Sequence, residues 1–495
     1  MKSNSMTGKN LLDKIRKDFI GLETEYTLAT GDKTRRIYLD STATTLMMKA
    51  ARDVMESLYH HYANTHSQLH FSAKIATNEY HWAHDRILSF VGGDPDRYTC
   101  FFTGSGTTAG MNRVARILRK VQPDKDTSII SIMEHHSNDL PHRKQMKNII
   151  HIPVDRKNGQ FGCICMETLE KVLKKNNGQV NYVAMTGVSN VTGIENPIYD
   201  AAEITHKYGA LMLVDGAQLV AHQLVKMVNP KNENRNIDIL IFSGHKTYVP
   251  GSPGVVIARK DLLSQIEPEE VGGGMVEMVF TDNYLVKSNF PDREEAGTPN
   301  IPGAIGLAAA IDILDKIGME FIQEEEDNLV NTTLQKMMEI PDIIIYGEPD
   351  TTICKRTASI SFNMNGLDHG MTAAVLNDYF NIAVRNECFC AHPYVKEMVF
   401  DEPVKINNAK EMKEFRELFH LKKGMVRASF GIYSTHEDVD ALISALIDIS
   451  KRKEFYSNLY HVNSNGDYNH NHFTFDHIKE FSAESLINNL IQQEI

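Results

Sequence analysis

Cysteine is scarce in this chain: six occur among 495 residues, beside 16 prolines and a single tryptophan. A disulfide scaffold needs many more cysteines in a much shorter chain, so that class of protein is excluded. The first ten residues are polar, and no window approaches the roughly 18 uninterrupted apolar residues that a membrane span needs. We therefore expect no secretory signal, no membrane span and a reduced, cytoplasmic protein.

An excess of basic residues is also lacking. The chain has 52 Lys and Arg against 64 Asp and Glu, which gives a formal net charge of −12. Because nucleic-acid phosphates attract clustered Lys and Arg, nucleic acid is excluded as the main partner. The hydrophobic fraction of 42% and the charged fraction of 23% are instead typical of a globular enzyme with a large core.

Short apolar runs alternate with helical stretches between about residues 35 and 300. The runs show no polar and apolar alternation, which is typical of strands buried on both faces. They are Tyr98–Phe102, Ser128–Ile132, Tyr182–Met185, Leu211–Val214 and Ile237–Phe242. This pattern predicts an α/β domain with a mostly parallel sheet, in which ligands bind beyond the carboxyl ends of the strands.

The chain is predicted to divide into four units. These are an N-terminal segment over 1–34, a large domain over 35–302, a small α+β domain over 303–452 and a C-terminal extension over 453–495. Helical periodicity at Ile305–Ile317 and His436–Ile449 supports the small domain. The charged stretch 401–423 has no assigned role, and we expect the apolar helical face at Leu486–Ile491 to pack on the body of the protein.

Two neighbouring strand ends carry an aspartate and a lysine. The run Leu211–Val214 leads into Asp215, and the run Ile237–Phe242 leads into Ser243-Gly244-His245-Lys246. Pyridoxal 5'-phosphate (PLP) needs such a pair, because a lysine forms a Schiff base with its aldehyde and a carboxylate holds a proton on its pyridine nitrogen. Taken singly, Asp215 would be a turn or capping residue and Lys246 a solvated charge. Together they predict a PLP site.

A third strand end supplies a candidate anion site. The turn Thr103-Gly104-Ser105-Gly106-Thr107-Thr108 lies between the run Tyr98–Phe102 and a helical pattern over Ala109–Leu118. Glycines let the backbone approach a phosphate, and the unpaired N–H groups of a helix start can bind it. This turn lacks the lysine of a nucleotide P-loop. It therefore predicts a phosphate site of another kind.

These residues and several others resemble the cysteine desulfurase and selenocysteine lyase family, in the class V branch of fold-type I PLP enzymes. The matching stretches run from Tyr38-Leu39-Asp40-Ser41-Thr42-Ala43-Thr44-Thr45 to Val426-Arg427-Ala428-Ser429, and include Val214–Gln218, Ser243–Lys246 and Glu295-Ala296-Gly297-Thr298-Pro299-Asn300. The resemblance implies the fold-type I PLP-dependent transferase fold, with a mostly parallel sheet in a large domain and a smaller α+β C-terminal domain. It also implies a homodimer that uses PLP, takes L-cysteine or selenocysteine as substrate and passes sulfur to an acceptor protein.

The resemblance also implies which residues bind PLP. Lys246 would hold the cofactor, Asp215 would pair with its ring nitrogen and His135 would stack on the ring face. The other implied contacts are Asn190 and Gln218 at the ring hydroxyl, Thr107, Thr108, Ser243 and His245 at the phosphate, and Thr298 at the phosphate of the partner subunit.

Substrate binding and sulfur transfer are implied for three further residues. Arg427 would bind the substrate carboxylate through its planar fork, with Arg385 and Asn190 beside it. Cys390 would accept the sulfur as a persulfide. Family desulfurases usually read Arg-Thr-Gly-His-His-Cys here, whereas this chain reads Arg385-Asn386-Glu387-Cys388-Phe389-Cys390. The Cys-Phe-Cys sequence is closer to that of the molybdenum cofactor sulfurases, and the role of Cys388 stays open.

Three alternatives stay open. A class V aminotransferase, epimerase or β-eliminating lyase would not use Cys390 as a sulfur acceptor. A scaffolding protein that only retained the fold would purify colourless. A structural zinc site would have to join Cys388, Cys390 and His392 to the pair Cys163-Ile164-Cys165, but nothing in the spacing brings these groups together, so no metal is predicted.

Overall fold

The computed structural model describes residues 8–399 and 424–493. A seven-stranded sheet at its centre positions the site. In spatial order the strands are Tyr98–Thr103, Gly254–Arg259, Ile239–Ser243, Leu211–Asp215, Val180–Thr186, Thr127–Ser131 and Asn148–Ile152. Gly254–Arg259 runs antiparallel to both neighbours, whereas the other six strands share one direction. Six carboxyl ends therefore meet at one edge of the sheet.

Helices cover both faces of this sheet, so its inner strands are buried and rich in branched apolar residues. The helix Ile301–Ile317 is apolar on nearly all sides and lies against Phe71–Phe90 and Lys49–Tyr59. Its start is fixed by the side chain of Asn300, which accepts a hydrogen bond from the N–H of Gly303, and by a proline in the first turn. The helices are Lys9–Ile15, Lys49–Tyr59, Phe71–Phe90, Gly106–Val121, Leu140–Gln145, Met166–Lys175, Ile198–Lys207, Lys260–Leu263, Ile301–Ile317, Met319–Met338, His369–Phe380, His392–Val399, His436–Lys451, Lys453–Ser457, His477–Glu480 and Ala483–Gln493.

A second, four-stranded antiparallel sheet forms from the C-terminal half of the chain. Its strands, in spatial order, are Ile343–Ile345, Ser359–Met364, Met425–Ser429 and Arg385–Glu387. Met319–Met338 and His436–Lys451 lie against each other beside it, and a capping box between Thr435 and Asp438 begins the latter helix. Register in this sheet places Arg427 opposite Arg385.

Short two-stranded pairs complete the described chain. They are Phe19–Ile20 with Met47–Met48, Glu25–Thr27 with Lys33–Arg35, Ile37–Tyr38 with Ile382–Ala383, Val154–Lys157 with Gln160–Ile164, Val276–Val279 with Tyr284–Val286, and Tyr460–Val462 with Tyr468–His470. No helix within the two described ranges combines the length and apolarity that crossing a membrane takes.

The predicted α/β class with a mostly parallel sheet is confirmed, while the exact domain boundaries stay a prediction. One expectation is wrong: the side chains of Leu486, Ile487, Leu490 and Ile491 are 51–56% exposed, so this helical face does not pack on the body of the chain. The charged stretch 401–423 lies outside the described residues.

Candidate active site

The carboxyl edge of the large sheet opens into a cavity of about 590 Å³. The turns after Tyr98–Thr103, Leu211–Asp215 and Ile239–Ser243 all line it, as expected for a sheet whose strands end together. Twelve residues with a predicted role lie in its wall. They are Thr107, Thr108, His135, Asn190, Asp215, Gln218, Ser243, His245, Lys246, Arg385, Cys390 and Arg427.

Lys246 and Asp215 both line the cavity, Asp215 as a buried side chain and Lys246 as a partly buried one. Lys246 follows its strand by one turn of 3₁₀ helix, and its Nζ has no hydrogen-bonding partner among the residues that the structure describes. Burial lowers the pKa of Lys246 from 10.5 to about 8, although the Asp215 carboxylate opposes the shift. Burial likewise raises the pKa of Asp215, whose Oδ1 accepts a 2.9 Å hydrogen bond from the N–H of Ala217.

An anion cradle lies at the start of the helix Gly106–Val121. A Cβ atom on Gly106 would lie 2.6 Å from Oγ of Ser243, and this residue has a φ of +56°, so the close approach requires glycine. Oγ of Ser243 accepts the N–H of Thr107 at 2.7 Å, and Oγ1 of Thr108 lies 2.6 Å from Oγ of Ser137. No acidic residue occupies the first turn of the helix. Hydroxyl groups and the positive end of a helix therefore suit a phosphate.

His135 enters the cavity as a neutral imidazole. Its Nδ1 accepts a hydrogen bond from the backbone N–H of Ser137 at 3.1 Å, so the ring proton is on Nε2. Burial and then the charge of Lys246 lower the pKa of His135 to about 3. An uncharged ring with a fixed orientation suits stacking on an aromatic cofactor.

The wall beside these residues is held by side chains that cross between loops. Nε2 of Gln218 donates to the carbonyl oxygen of Thr42 at 2.7 Å, and Nδ1 of His245 lies 3.2 Å from Oγ1 of Thr44. Together with the unpartnered amine of Lys246, the carboxylate of Asp215 and the anion cradle, this arrangement fits PLP.

Arg427 is buried but its guanidinium is only partly satisfied. Nη1 donates to the backbone carbonyl of Asn190 at 2.8 Å, Nη2 lies 3.4 Å from Oδ1 of Asp40, and the ring of Phe389 covers one face at 4.6 Å. Nε is buried without a partner among the described residues. Burial lowers the pKa of Arg427 to about 10, so it stays charged at neutral pH. The edge that carries Nε and Nη2 therefore has one donor without a partner and one that is shared with Asp40, and it suits a carboxylate bound as a fork.

Two of these contacts were missed by the sequence reasoning. One of them involves Asp40, which lies between two arginines. Its Oδ1 faces Arg427, and its Oδ2 lies 3.9 Å from Nη1 of Arg385. Asp40 belongs to the stretch Tyr38–Thr45, which matches the family, but the sequence assigned it no role. Phe389 had no signal, because a cation–π contact between a turn residue and an arginine far along the chain leaves no local pattern.

The two cysteines of the loop occupy different environments. Cys390 is exposed and lines the cavity, whereas Cys388 is buried in the main apolar core. Burial, reinforced by Glu387, raises the pKa of Cys388 to about 12. A thiol in that state is a poor nucleophile.

Thr298 is the one predicted PLP contact that is not in the cavity of its own chain. It is exposed, and its Oγ1 accepts a 3.2 Å hydrogen bond from Nδ2 of Asn64.

No group of three or more His, Cys, Asp or Glu side chains in the described part of the chain is arranged to hold a metal ion.

Known proteins resemble this chain over most of its length. The sequence model of the family described as aminotransferase class V matches residues 37–442. A probable cysteine desulfurase of Halalkalibacterium halodurans is 32% identical over 86% of this chain and 95% of its own length, and a cysteine desulfurase of Escherichia coli is 32% identical over 88% and 97%.

Solved structures of cysteine desulfurases also resemble this chain. A cysteine desulfurase of Thermococcus onnurineus superposes with a TM-score of 0.73 and 29% identity, covering 90% of this chain and all of that one. The cysteine desulfurase CsdA of Escherichia coli has a TM-score of 0.70 and 25% identity, with 89% and 98% covered.

Proposed function

The chain belongs to the class V aminotransferase family, and from this membership we propose that it is a PLP-dependent cysteine desulfurase. It converts L-cysteine into L-alanine and keeps the sulfur as a persulfide on Cys390, and selenocysteine reacts by the same chemistry. One observation carries the proposal: the exposed thiol of Cys390 lines the same cavity as Lys246, Asp215 and Arg427.

Arg427 and Lys246 act on the amino acid itself. The guanidinium of Arg427 binds the substrate carboxylate through Nε and Nη2 and so fixes the orientation of the amino acid. Bound PLP supplies an electron sink for negative charge that develops on the substrate carbons. Asp215 would hold a proton on the pyridine nitrogen of the bound cofactor, and Lys246, whose pKa burial lowers to about 8, moves protons to and from the substrate.

Cys390 then takes the sulfur. Its thiolate attacks the substrate sulfur, so a sulfur–sulfur bond forms as the carbon–sulfur bond breaks. The electron pair of the broken bond stays with the substrate carbon, which takes up the proton that completes the methyl group of alanine. The enzyme ends with Cys–S–SH in place of Cys–SH, and a thiol reductant or an acceptor protein removes the outer sulfur.

A homodimer is part of the proposal, because Thr298 has no role in the cavity of its own chain. The backbone N–H of the neighbouring Gly297 donates a hydrogen bond to the carbonyl oxygen of Gly273. Gly273 lies just before the exposed hairpin formed by Val276–Val279 and Tyr284–Val286. Leu69 and Phe71 are 96% and 90% exposed, an arrangement that suits an interface.

We place the protein in the cytoplasm because all six of its cysteines are free thiols.

The test is incubation of the pure, PLP-loaded protein with L-cysteine. Alanine should form in amounts equal to sulfide when a thiol reductant is present, and should stop near one equivalent per active site without reductant. A keto acid product in place of alanine would instead establish transamination or elimination.

A further inference from the structure

Two histidines outside the predicted catalytic set join the loop of Cys390 to the loop of His135. Nδ1 of His392 lies 2.8 Å from Nε2 of His136, and the two rings are parallel to within 2° with centroids 4.7 Å apart. The backbone N–H of His136 also donates to the carbonyl oxygen of Cys390 at 2.7 Å. Two hydrogen bonds therefore hold these loops side by side.

The direction of the ring-to-ring hydrogen bond follows from a third contact. The backbone N–H of His392 points at Nε2 of His136 from 3.4 Å, and a backbone N–H can only donate. Nε2 of His136 is therefore the acceptor, and Nδ1–H of His392 is the donor. This bond persists when His392 gains a second proton, but it is lost when His136 is protonated on Nε2.

The loop between these contacts needs an external restraint. Phe389 and Cys390 have φ values of +51° and +55°, a left-handed conformation that costs free energy in residues other than glycine. Asn190 holds the carbonyl oxygen of Phe389 on one side of the thiol. The contacts of His136 and His392 hold the chain on the other side.

We propose that the His136–His392 pair is a clamp that positions the thiol of Cys390 for sulfur transfer. The inference rests on the proposed function, because it takes Cys390 as the nucleophile. Neither histidine belongs to the described wall of the cavity, so both are positioning residues that act through Cys390. In the position of the histidines that family members carry before the cysteine, this chain has Cys388 and Phe389.

Acid should open the clamp. Burial lowers the pKa of His136, while Asp139 opposes and Arg143 reinforces the shift, so His136 is neutral at pH 7. Among the described residues, the charged or titratable groups near His136 are Asp139, Arg143, His135, whose ring centroid lies 6.2 Å away, and Cys390, whose carbonyl oxygen accepts the His136 N–H. Lys396 and Glu397 follow on the helix that begins at His392. Because the pKa is depressed, the clamp is intact above the ordinary histidine range and is lost as the pH falls below it.

The first arm of the test does not depend on activity. Backbone hydrogen exchange is followed in the PLP-loaded protein, in peptides that contain Cys390 or His136, for wild type, His392→Ala and His392→Asn. Asparagine places an amide where Nδ1 of histidine was and does not titrate. We expect at least tenfold lower protection in His392→Ala and near wild-type protection in His392→Asn. On acidification from pH 7 to about 5, protection should fall in wild type and in His392→Asn alike, because the acceptor that is protonated, Nε2 of His136, is present in both.

The second arm measures alanine formation with a reductant. In His392→Ala, kcat should fall about tenfold with KM for L-cysteine within twofold of wild type, and His392→Asn should recover most of the loss. His461→Gln is the control, because His461 is paired with Asn471 at the surface and should change nothing. The clamp is wrong if His392→Ala keeps wild-type exchange and kcat, or if His392→Asn fails as badly as His392→Ala. A protein that makes no alanine would overturn the proposed function, whereas the exchange arm would still decide the clamp.

Discussion

The side-chain amide of Asn190 donates a 2.7 Å hydrogen bond to the carbonyl oxygen of Phe389, the residue before Cys390. The backbone carbonyl of the same asparagine accepts a 2.8 Å hydrogen bond from Nη1 of Arg427. One residue in the loop after the strand Val180–Thr186 therefore holds both the arginine proposed to bind substrate and the loop of the proposed nucleophile. The geometry that sulfur transfer needs is fixed from the large sheet.

Replacement of Asn190 should separate these two contacts. Asn190→Ala removes the bond to Phe389 but leaves the backbone bond to Arg427. We expect kcat for alanine formation to fall about fivefold, the equivalent of one hydrogen bond of about 1 kcal/mol, with KM nearly unchanged. Asn190→Asp should be worse, because a carboxylate faces the carbonyl oxygen without a proton to donate. Titration with PLP checks cofactor affinity, and an unchanged kcat in both variants would contradict this role.

Much of the site could be predicted because its residues follow strand ends. Asp215 and Lys246 stand directly after buried apolar runs, and parallel strands bring such positions to one edge of the sheet. The antiparallel direction of Gly254–Arg259 could not be predicted, since a strand buried on both faces has no pattern that records its direction.

The cysteine loop shows a second limit of sequence reasoning. Residues two apart on an extended segment share one side, yet Cys388 is buried and Cys390 is exposed. Left-handed φ values at Phe389 and Cys390 turn the chain between them, and neither residue type favours that conformation. Tertiary contacts from Asn190 and His136 impose it.

The lowered pKa of Lys246 should appear in the pH dependence of PLP uptake by the apoprotein. Only the neutral amine attacks the aldehyde, so with a pKa of about 8 the rate should rise from about pH 7 and level off above about pH 9. A lysine with the ordinary value of 10.5 would still gain tenfold per pH unit there. The rate is read from the absorbance of protein-bound pyridoxal, and Lys246→Ala should show no covalent uptake. Borohydride labelling of another lysine would contradict the assignment.

Replacement of Asp215 should act on both cofactor uptake and turnover. Asp215→Asn removes the negative charge that raises the pKa of Lys246, so the uptake midpoint should move to lower pH. Turnover should fall about 100-fold or more, because a neutral amide does not hold the pyridine proton and such electrostatic contacts are worth several kcal/mol. Wild-type kcat in PLP-loaded Asp215→Asn would show that another group pairs with the ring nitrogen.

Arg427 should control substrate affinity. Arg427→Ala removes a charge-assisted fork, and we expect KM for L-cysteine to rise about 10- to 100-fold. Arg427→Lys should recover only part of this loss, because a point charge does not reproduce two parallel N–H groups. Arg385→Ala is the matched control, since Arg385 also approaches Asp40 but its side chain is 59% exposed. A larger KM effect in Arg385→Ala than in Arg427→Ala would move the carboxylate site.

The last prediction concerns which cysteine takes the sulfur. Cys390 is exposed at the cavity, whereas Cys388 is buried and burial raises its pKa to about 12, so Cys390 is the cysteine that can reach the substrate. Cys390→Ser should eliminate alanine formation while L-cysteine still changes the absorbance spectrum of the bound cofactor. Cys388→Ser should keep a substantial rate, and it serves as the control for placing a hydroxyl in the same loop. After one turnover of wild type without reductant, mass spectrometry should find one extra sulfur, which Cys388→Ser retains and Cys390→Ser lacks. If Cys390→Ser makes alanine as fast as wild type, persulfide formation at this position is wrong, and a class V enzyme that does not use the cysteine becomes the better description.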